Sequence, residues 1–291
     1  MQPTLLIDGN NVLVRAVEAT RRVAMNSPTG VDTSALVSTV ATISRHIREE
    51  KPGRVVVLWD GGADGWRKKI YPQYKANRPQ ATDTYRSHSR ALVREFFDLA
   101  GIPQQIQADY EADDLIAAHW RASDEPLIIL SNDKDMLQLA GYTPRGQACG
   151  QIRLSSSDTP TDRWNADRVT EHFGCTPEQL PLVLALAGDP SDNVPGVPGI
   201  GPKFAVKHLA AARWDLDAVT HQGIREHMAD VAVYRELVDL RNNGMQPRVP
   251  RIPLFLPFVQ GPDPAWRNLH AFCERHGLRQ IAAKLSVGHL W

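Results

Sequence analysis

VVVLWD, residues 55–60, is an unbroken run of β-branched, aliphatic and aromatic side chains that ends on an acid. Two other stretches repeat its plan, TLLID at 4–8 and LIILSND at 127–133. Apolarity that is continuous rather than alternating marks strands buried on both faces, as in a parallel sheet covered by helices. The segments between them, 33–50, 86–100 and 111–122, read as helices. Strand–helix alternation of this kind predicts a doubly wound α/β domain with a mostly parallel sheet. In such sheets the carboxyl ends of the strands open on one crevice, so Asp8, Asp60 and Asp133 are expected to meet there.

Beyond residue 165 the strand signal fades, and helices are expected at 166–173, 178–188, 203–212 and 224–241. The proline-rich stretch 244–262 reads as an extended wrap, and FCERHGLRQIAAKL near the end as one or two closing helices. The expected division is an α/β part over 1–165, carrying a basic arch at about 66–94, and a helical part over 166–291. The second part holds a helix–hairpin–helix element at about 188–212.

Composition bounds the function. The chain has 291 residues, 42% of them hydrophobic and 23% charged, which suits a globular protein with a sizeable core. No stretch approaches the roughly 18 uninterrupted apolar residues of a membrane span. The opening MQPTLLIDGNN, with an acid inside its short apolar run, predicts a strand rather than a secretory leader. The expectation is a cytoplasmic monomer with no membrane partner. Cys149, Cys175 and Cys273 are odd in number and form no CxxC pair, so reduced thiols are expected rather than a disulfide or a zinc knuckle.

Net charge is zero, but the charges are sorted along the chain. Residues 66–94 hold eight Lys or Arg against one acid, Asp83, whereas DYEADD at 109–114 holds four acids and no base. Nine carboxylates stand out: Asp8, Asp60, Glu111, Asp113, Asp114, Asp133, Asp135, Asp189 and Asp192. An aspartate at one strand end is a common turn residue, and an acid at a helix start often only complements the helix dipole. A strand-end acid repeated three times argues for more. So many carboxylates in one cleft would repel strongly unless hard cations joined them, and Mg²⁺ or Mn²⁺ prefer oxygen ligands of this kind. Two such ions suit phosphodiester hydrolysis. The absence of a GxxxxGK[ST] loop argues against a P-loop nucleotide site, and that of HExxH against zinc.

GVPGIGPKFAVKHL, 196–209, is a Gly-x-Gly turn leading into a helix. Gly199 and Gly201 permit tight backbone, the helix N-terminus offers amides to a phosphate, and Lys203 and Lys207 add charge. Contacts of this type hold a duplex without reading its sequence. The basic segment, with Arg67 and Lys68 among its cations, also carries Trp66, Tyr71, Tyr74 and Tyr85. Cations interleaved with aromatic rings suit a single strand.

The ordered set DGNN (8–11), WDG (59–61), YKANR (74–78), YEADD (110–114), SNDKD (131–135), GDPSDN (188–193) and GVPGIGPK (196–203) resembles the flap endonuclease or 5′→3′ exonuclease family. The resemblance runs from residue 4 to about 240. It implies Asp8, Asp60, Glu111 and Asp113 around one metal and Asp133, Asp135, Asp189 and Asp192 around a second, with Asp113 shared and Asp114 in the outer shell. It also implies Tyr74, Lys75 and Arg78 as arch residues acting on the phosphate. The hairpin would grip duplex DNA with K⁺ held by backbone carbonyls. The implied substrate is DNA with a 5′ flap, a nick, a free 5′ end or an RNA–DNA primer junction. The implied product is a 5′-phosphorylated fragment. No polymerase segment follows in this sequence, so a separate polymerase and a ligase are the expected partners. Two rivals are a DNA-binding module without catalysis and an RNA-directed nuclease of the PIN type. The full acid set argues against the first; the basic arch and the hairpin argue against the second.

Overall fold

The computed structural model describes residues 1–62, 65–77, 84–154, 162–242, 247–255, 264–286 and 291. The chain forms two compact units, each discontinuous in sequence. One comprises Met1–Trp59, Ala81–Ile106 and Pro250–Trp291; the other comprises Asp60–Gln80 and Gln107–Val249.

The first unit is built on three parallel strands, β1 (Thr4–Asp8), β2 (Arg54–Trp59) and β3 (Gln104–Ile106). Leu6 faces Val56 across one ladder, and Leu58 faces Gln105 across the other. Leu5, Leu6, Ile7 and every residue from Val55 to Trp59 are fully buried, as continuous apolarity requires of a sheet covered on both sides. Helices Ser34–Glu50 and Thr84–Leu99 fall within two residues of the expected positions.

Helix Gly9–Thr20 was not expected. It starts because the Asp8 side chain caps it, accepting a hydrogen bond from the Asn11 amide at 2.9 Å. Gly9 is needed there, since a Cβ would meet Trp59 and Val57 at 2.8 Å. The described part of the proline-rich wrap is irregular and tied to this unit through the Phe255 amide, which donates to the Gly53 carbonyl at 2.9 Å. The closing helices are Pro264–Arg275 and Arg279–Ser286, the first of which buries Leu269 and Phe272.

The second unit pairs β4 (Leu127–Leu130) in parallel with β6 (Ala148–Arg153). Two short strands, β5 (Gly141–Tyr142) and β7 (Asp162–Trp164), flank β6 in the antiparallel sense and were not foreseen. Helix Ala112–Ala122 begins inside the acidic run, as expected. Helices Ala166–Phe173, Leu180–Ala187 and Pro202–Ala211 also match expectation. The expected helix over 224–241 is instead two, Gln222–Glu226 and Met228–Val238, broken at His227. These helices share a core that includes Leu184, Leu186, Ile200, Leu209, Val231 and Leu237. Among the described residues no helix is long and apolar enough to cross a membrane, and the three cysteines are free and buried.

Candidate metal centre

Asp60 leaves the end of β2 and opens the second unit. Its Oδ1 accepts from the Ala112 amide at 2.9 Å, joining the WDG stretch to the first residue of the acidic helix. The Gly61 amide donates to the Tyr110 carbonyl at 2.8 Å, and there is no room for a side chain, because a Cβ would fall 1.8 Å from the Gln107 carbonyl oxygen.

Glu111 stands at the N-terminus of that helix and Asp113, half-buried, in its first turn. Asp114 is nearly fully buried. It accepts a two-pronged pair of bonds from Arg67, both at 2.8 Å, and two more from Trp66 Nε1 at 3.1 Å and the Glu111 amide at 3.0 Å. Those bonds make Asp114 an internal anchor rather than a direct cation ligand. The same geometry corrects the expectation for Arg67. Only 3% exposed, it is sequestered by Asp114 and is not a DNA-contacting cation. Trp66 and Tyr74 are likewise buried, so neither ring is a stacking platform for a base.

Tyr74 and Lys75 reach the acids from the other side. The Tyr74 hydroxyl lies 2.8 Å from Asp192 Oδ2 and 3.1 Å from Glu111 Oε2. Lys75 Nζ donates to Glu111 Oε1 at 2.7 Å and lies 3.7 Å from Asp192 Oδ2. Burial pushes the Glu111 carboxyl up, but Arg67 and Lys75 outweigh it and hold the group at about 2. Burial, reinforced by the two carboxylates against the opposing pull of Arg67, raises the Tyr74 phenol well above its ordinary value and keeps it a neutral donor.

Residues 71–77 are seated on the Asp189–Asn193 loop by backbone as well as side chain. The Lys75 amide donates to the Asp192 carbonyl at 2.9 Å, Asn77 Nδ2 to the Pro190 carbonyl at 2.7 Å, and Asn193 Nδ2 to the Gln73 carbonyl at 2.6 Å. Lys75 and Asn193 both adopt positive φ, +55° and +56°, rare for residues with a side chain.

Asp133 follows β4 and accepts from the Asp135 amide at 2.9 Å, starting the short 3₁₀ turn Lys134–Leu139. Gln151, 1% exposed on β6, fixes this loop by donating to the Ser131 and Asp133 carbonyls at 2.8 and 2.7 Å. Asp189 is held by Ser191, whose amide and hydroxyl donate to its Oδ1 at 2.8 and 2.7 Å, and by Lys134 Nζ at 3.0 Å. Burial raises the Asp189 carboxyl, and these donors reverse that to a net lowering. Gln151, Ser191 and Lys134 were missed from the sequence; the one available signal was a lone amide inside the strand ACGQIR.

Asp133 and Asp135 behave oppositely. Burial is the larger cause, and the fields of Asp189 and Asp192 add to it, raising both carboxyls, Asp135 far above the usual range. Asp135 Oδ1 is buried with no hydrogen-bond partner. A buried oxygen without a donor, among carboxylates that lift one another, fits a divalent cation. Among the described residues these acids do not gather three ligand atoms within 4.8 Å of one another. Mg²⁺ keeps several waters and takes only one or two carboxylates directly, so it does not require a tighter cluster. The group that does gather so closely, His46, Glu49 and Glu50, is an i, i+3, i+4 set on one helix face in the first unit.

Of the remaining expected residues, Asp8 caps its helix in the first unit and Arg78 lies outside the described residues. Lys68 is half-buried. Gly199 has φ +78°, and Gly201 precedes helix Pro202–Ala211; a Cβ would meet nothing within 4 Å at either, so this face is open. Lys203 and Lys207, one helical turn apart, are exposed beside it.

Residues 3–174 match the family described as 5′–3′ exonuclease, N-terminal resolvase-like domain, and residues 175–248 match 5′–3′ exonuclease, C-terminal SAM fold. DNA polymerase I of Mycobacterium bovis is 33% identical over 254 residues, an alignment that covers 82% of this chain but only 27% of that protein. The 5′–3′ exonuclease of Aquifex aeolicus is 32% identical over 212 residues, covering 72% of this chain and 69% of the relative. In three dimensions, the bacteriophage T5 D15 flap endonuclease, solved as a pseudo-enzyme-product complex with DNA and metal ions, superposes with a TM-score of 0.66 at 16% identity. That match covers 99% of this chain and 100% of the other. Acids placed at strand ends and helix starts, the hairpin of glycines and lysines, and both family matches lead to one assignment: the chain belongs to the 5′–3′ exonuclease family.

Proposed function

We propose that this protein is a structure-specific 5′ nuclease that hydrolyses phosphodiester bonds in DNA at flaps, nicks or free 5′ ends with two Mg²⁺ or Mn²⁺ ions. The observation that carries the reading is the buried pair Asp133 and Asp135, raised in pKa by burial and by neighbouring acids, with Asp135 Oδ1 lacking any donor. In support, the phage T5 relative is described with DNA and metal ions.

Asp133, Asp135, Asp189 and Asp192 would hold one ion, and Asp60, Glu111 and Asp113 the other; Asp8 is a ligand by resemblance alone. Bound divalent cations supply a water made nucleophilic near neutral pH and neutralise charge on the phosphate. The protein's own groups do the rest. Lys75 presents a positive charge at the acid set and draws the scissile phosphate toward it. Tyr74, kept neutral, orients Asp192 and Glu111. Gly199, Gly201, Lys203 and Lys207 offer backbone amides and charge to the sugar–phosphate strand, with K⁺ as a further bridge there. Residues 1–165, joined by the Asp189–Asn193 loop, would carry the chemistry and the rest of 166–291 the duplex grip, in a cytoplasmic monomer whose product is finished by polymerase and ligase activities.

The test is a 5′-labelled flap incubated with Mg²⁺ or with EDTA. Release of 5′-phosphorylated fragments only with the metal is the expected result. Cleavage that persists in EDTA, or none with either Mg²⁺ or Mn²⁺, rejects the proposal.

A further inference from the structure

We infer that Arg67 is a positioning residue that fixes the Glu111 carboxylate for cation binding, through Asp114 and from a site that DNA does not reach. The inference rests on the proposed metal-dependent activity but concerns a different residue and a separate measurement.

Arg67 uses its guanidinium on four acceptor atoms of three residues at once. Nη1 and Nη2 clamp the two oxygens of Asp114 at 2.8 Å each, Nη1 also lies 3.3 Å from Glu111 Oε2, and Nε donates to the Leu237 carbonyl at 2.9 Å. The plane is packed over Trp66, 4.5 Å from its ring centre, with Tyr74 at 5.8 Å. Asp114 in turn accepts from the Glu111 amide, so the helix start and the Glu111 side chain are fixed by the same cation. An arginine fork can satisfy this arrangement; a lysine, with a single compact charge, cannot span both Asp114 oxygens and Glu111 together.

The bond to Leu237 adds a second consequence. Leu237 lies near the end of helix Met228–Val238, so Arg67 ties that helix to the start of the acidic one. A buried cation so committed can influence the reaction only by holding its partners still. Glu111, shared between Arg67 and Lys75, is left with a fixed direction and a defined share of negative charge.

The test compares the full-length protein with Arg67→Lys and, because that variant could lose stability, with Asp114→Asn, which keeps shape and removes the other half of the clamp. Three quantities are read: Mn²⁺ binding by calorimetry without DNA, flap affinity in Ca²⁺, and kcat on the flap. For both variants we expect Mn²⁺ binding about 5–10-fold weaker, kcat lower by about 10–100-fold, and flap affinity within about twofold of the parent. Flap affinity falling in step with kcat, with Mn²⁺ binding unchanged, would make Arg67 a phosphate contact and overturn the inference. Unchanged values of all three would overturn it as well. If the parent protein cuts no flap, the proposed function fails, while the Mn²⁺ measurement still decides the role of Arg67.

Discussion

Lys75 and Asp192 are joined twice, through main chain and side chain. The Lys75 amide donates to the Asp192 carbonyl at 2.9 Å, and the Lys75 ammonium lies 3.7 Å from the Asp192 carboxylate. A flexible side chain would rarely be worth such anchoring, because a positive-φ backbone costs about 1 kcal/mol. The double link fixes where the ammonium sits relative to the acids.

Lys75→Ala is therefore expected to slow flap cleavage by about 100-fold or more while changing flap affinity by less than about threefold. Single-turnover rates set beside binding in Ca²⁺ separate the two. Equal losses in both would reassign Lys75 to plain phosphate binding.

Asp135→Asn removes a charge from a place where burial and its neighbours oppose it. The variant should unfold at higher urea, by about 1–2 kcal/mol, and lose cleavage while still binding DNA. A variant that is less stable than the parent would show that Asp135 is satisfied in the native state after all.

Lys203→Ala and Lys207→Ala should weaken duplex binding without sequence preference. Each should flatten the log–log salt dependence of affinity by about one unit. Salt titrations by fluorescence anisotropy read this directly; an unaltered slope removes that helix face from the DNA path.

His119, inside helix Ala112–Ala122, gives a pH dependence unrelated to catalysis. Burial holds its imidazole down at about 4, from an ordinary 6.5. A lowered folded-state value means that the neutral form is favoured by folding. The associated stability is complete above pH 6.5 and is lost as pH falls toward 4, by up to about 3 kcal/mol. Urea midpoints at pH 7.5 and 4.5 should differ by less in His119→Gln than in the parent. Parallel pH profiles would count against this assignment.

β1, β2 and β4 were legible because burial on both faces leaves a continuous apolar signature, as in 55–59, whereas β3, β5, β6 and β7 are short or interrupted by exposed and polar positions and leave none. Helix Gly9–Thr20 was hidden by GNN and several valines, poor helix formers; the Asp8 cap and the packing of Gly9 on Trp59 impose it. Arg67 was misread for a different reason. A run of basic residues looks like a solvent-facing cation patch until the fold brings Asp114, 47 positions away, into reach. Gln151 was invisible because its role is to satisfy carbonyls of a loop that sequence alone does not bring beside it. The acids of the candidate site and Lys75 could be named from motif and spacing; the clamps that Arg67 and Lys134 place on those acids could not.

The Asp133–Asp135 turn has a thermodynamic corollary. A folded protein that keeps like charges pressed together behaves as a loaded spring, and any hard divalent ion able to sit among them should release part of that load. Calcium, even where it supports no turnover, is expected to raise the melting temperature, with about 2–3 kcal/mol gained at a hundredfold excess over its dissociation constant. Replacing Asp135 by Asn should erase most of that gain, so a protein made sturdier by the substitution would also be one that no longer senses the ion.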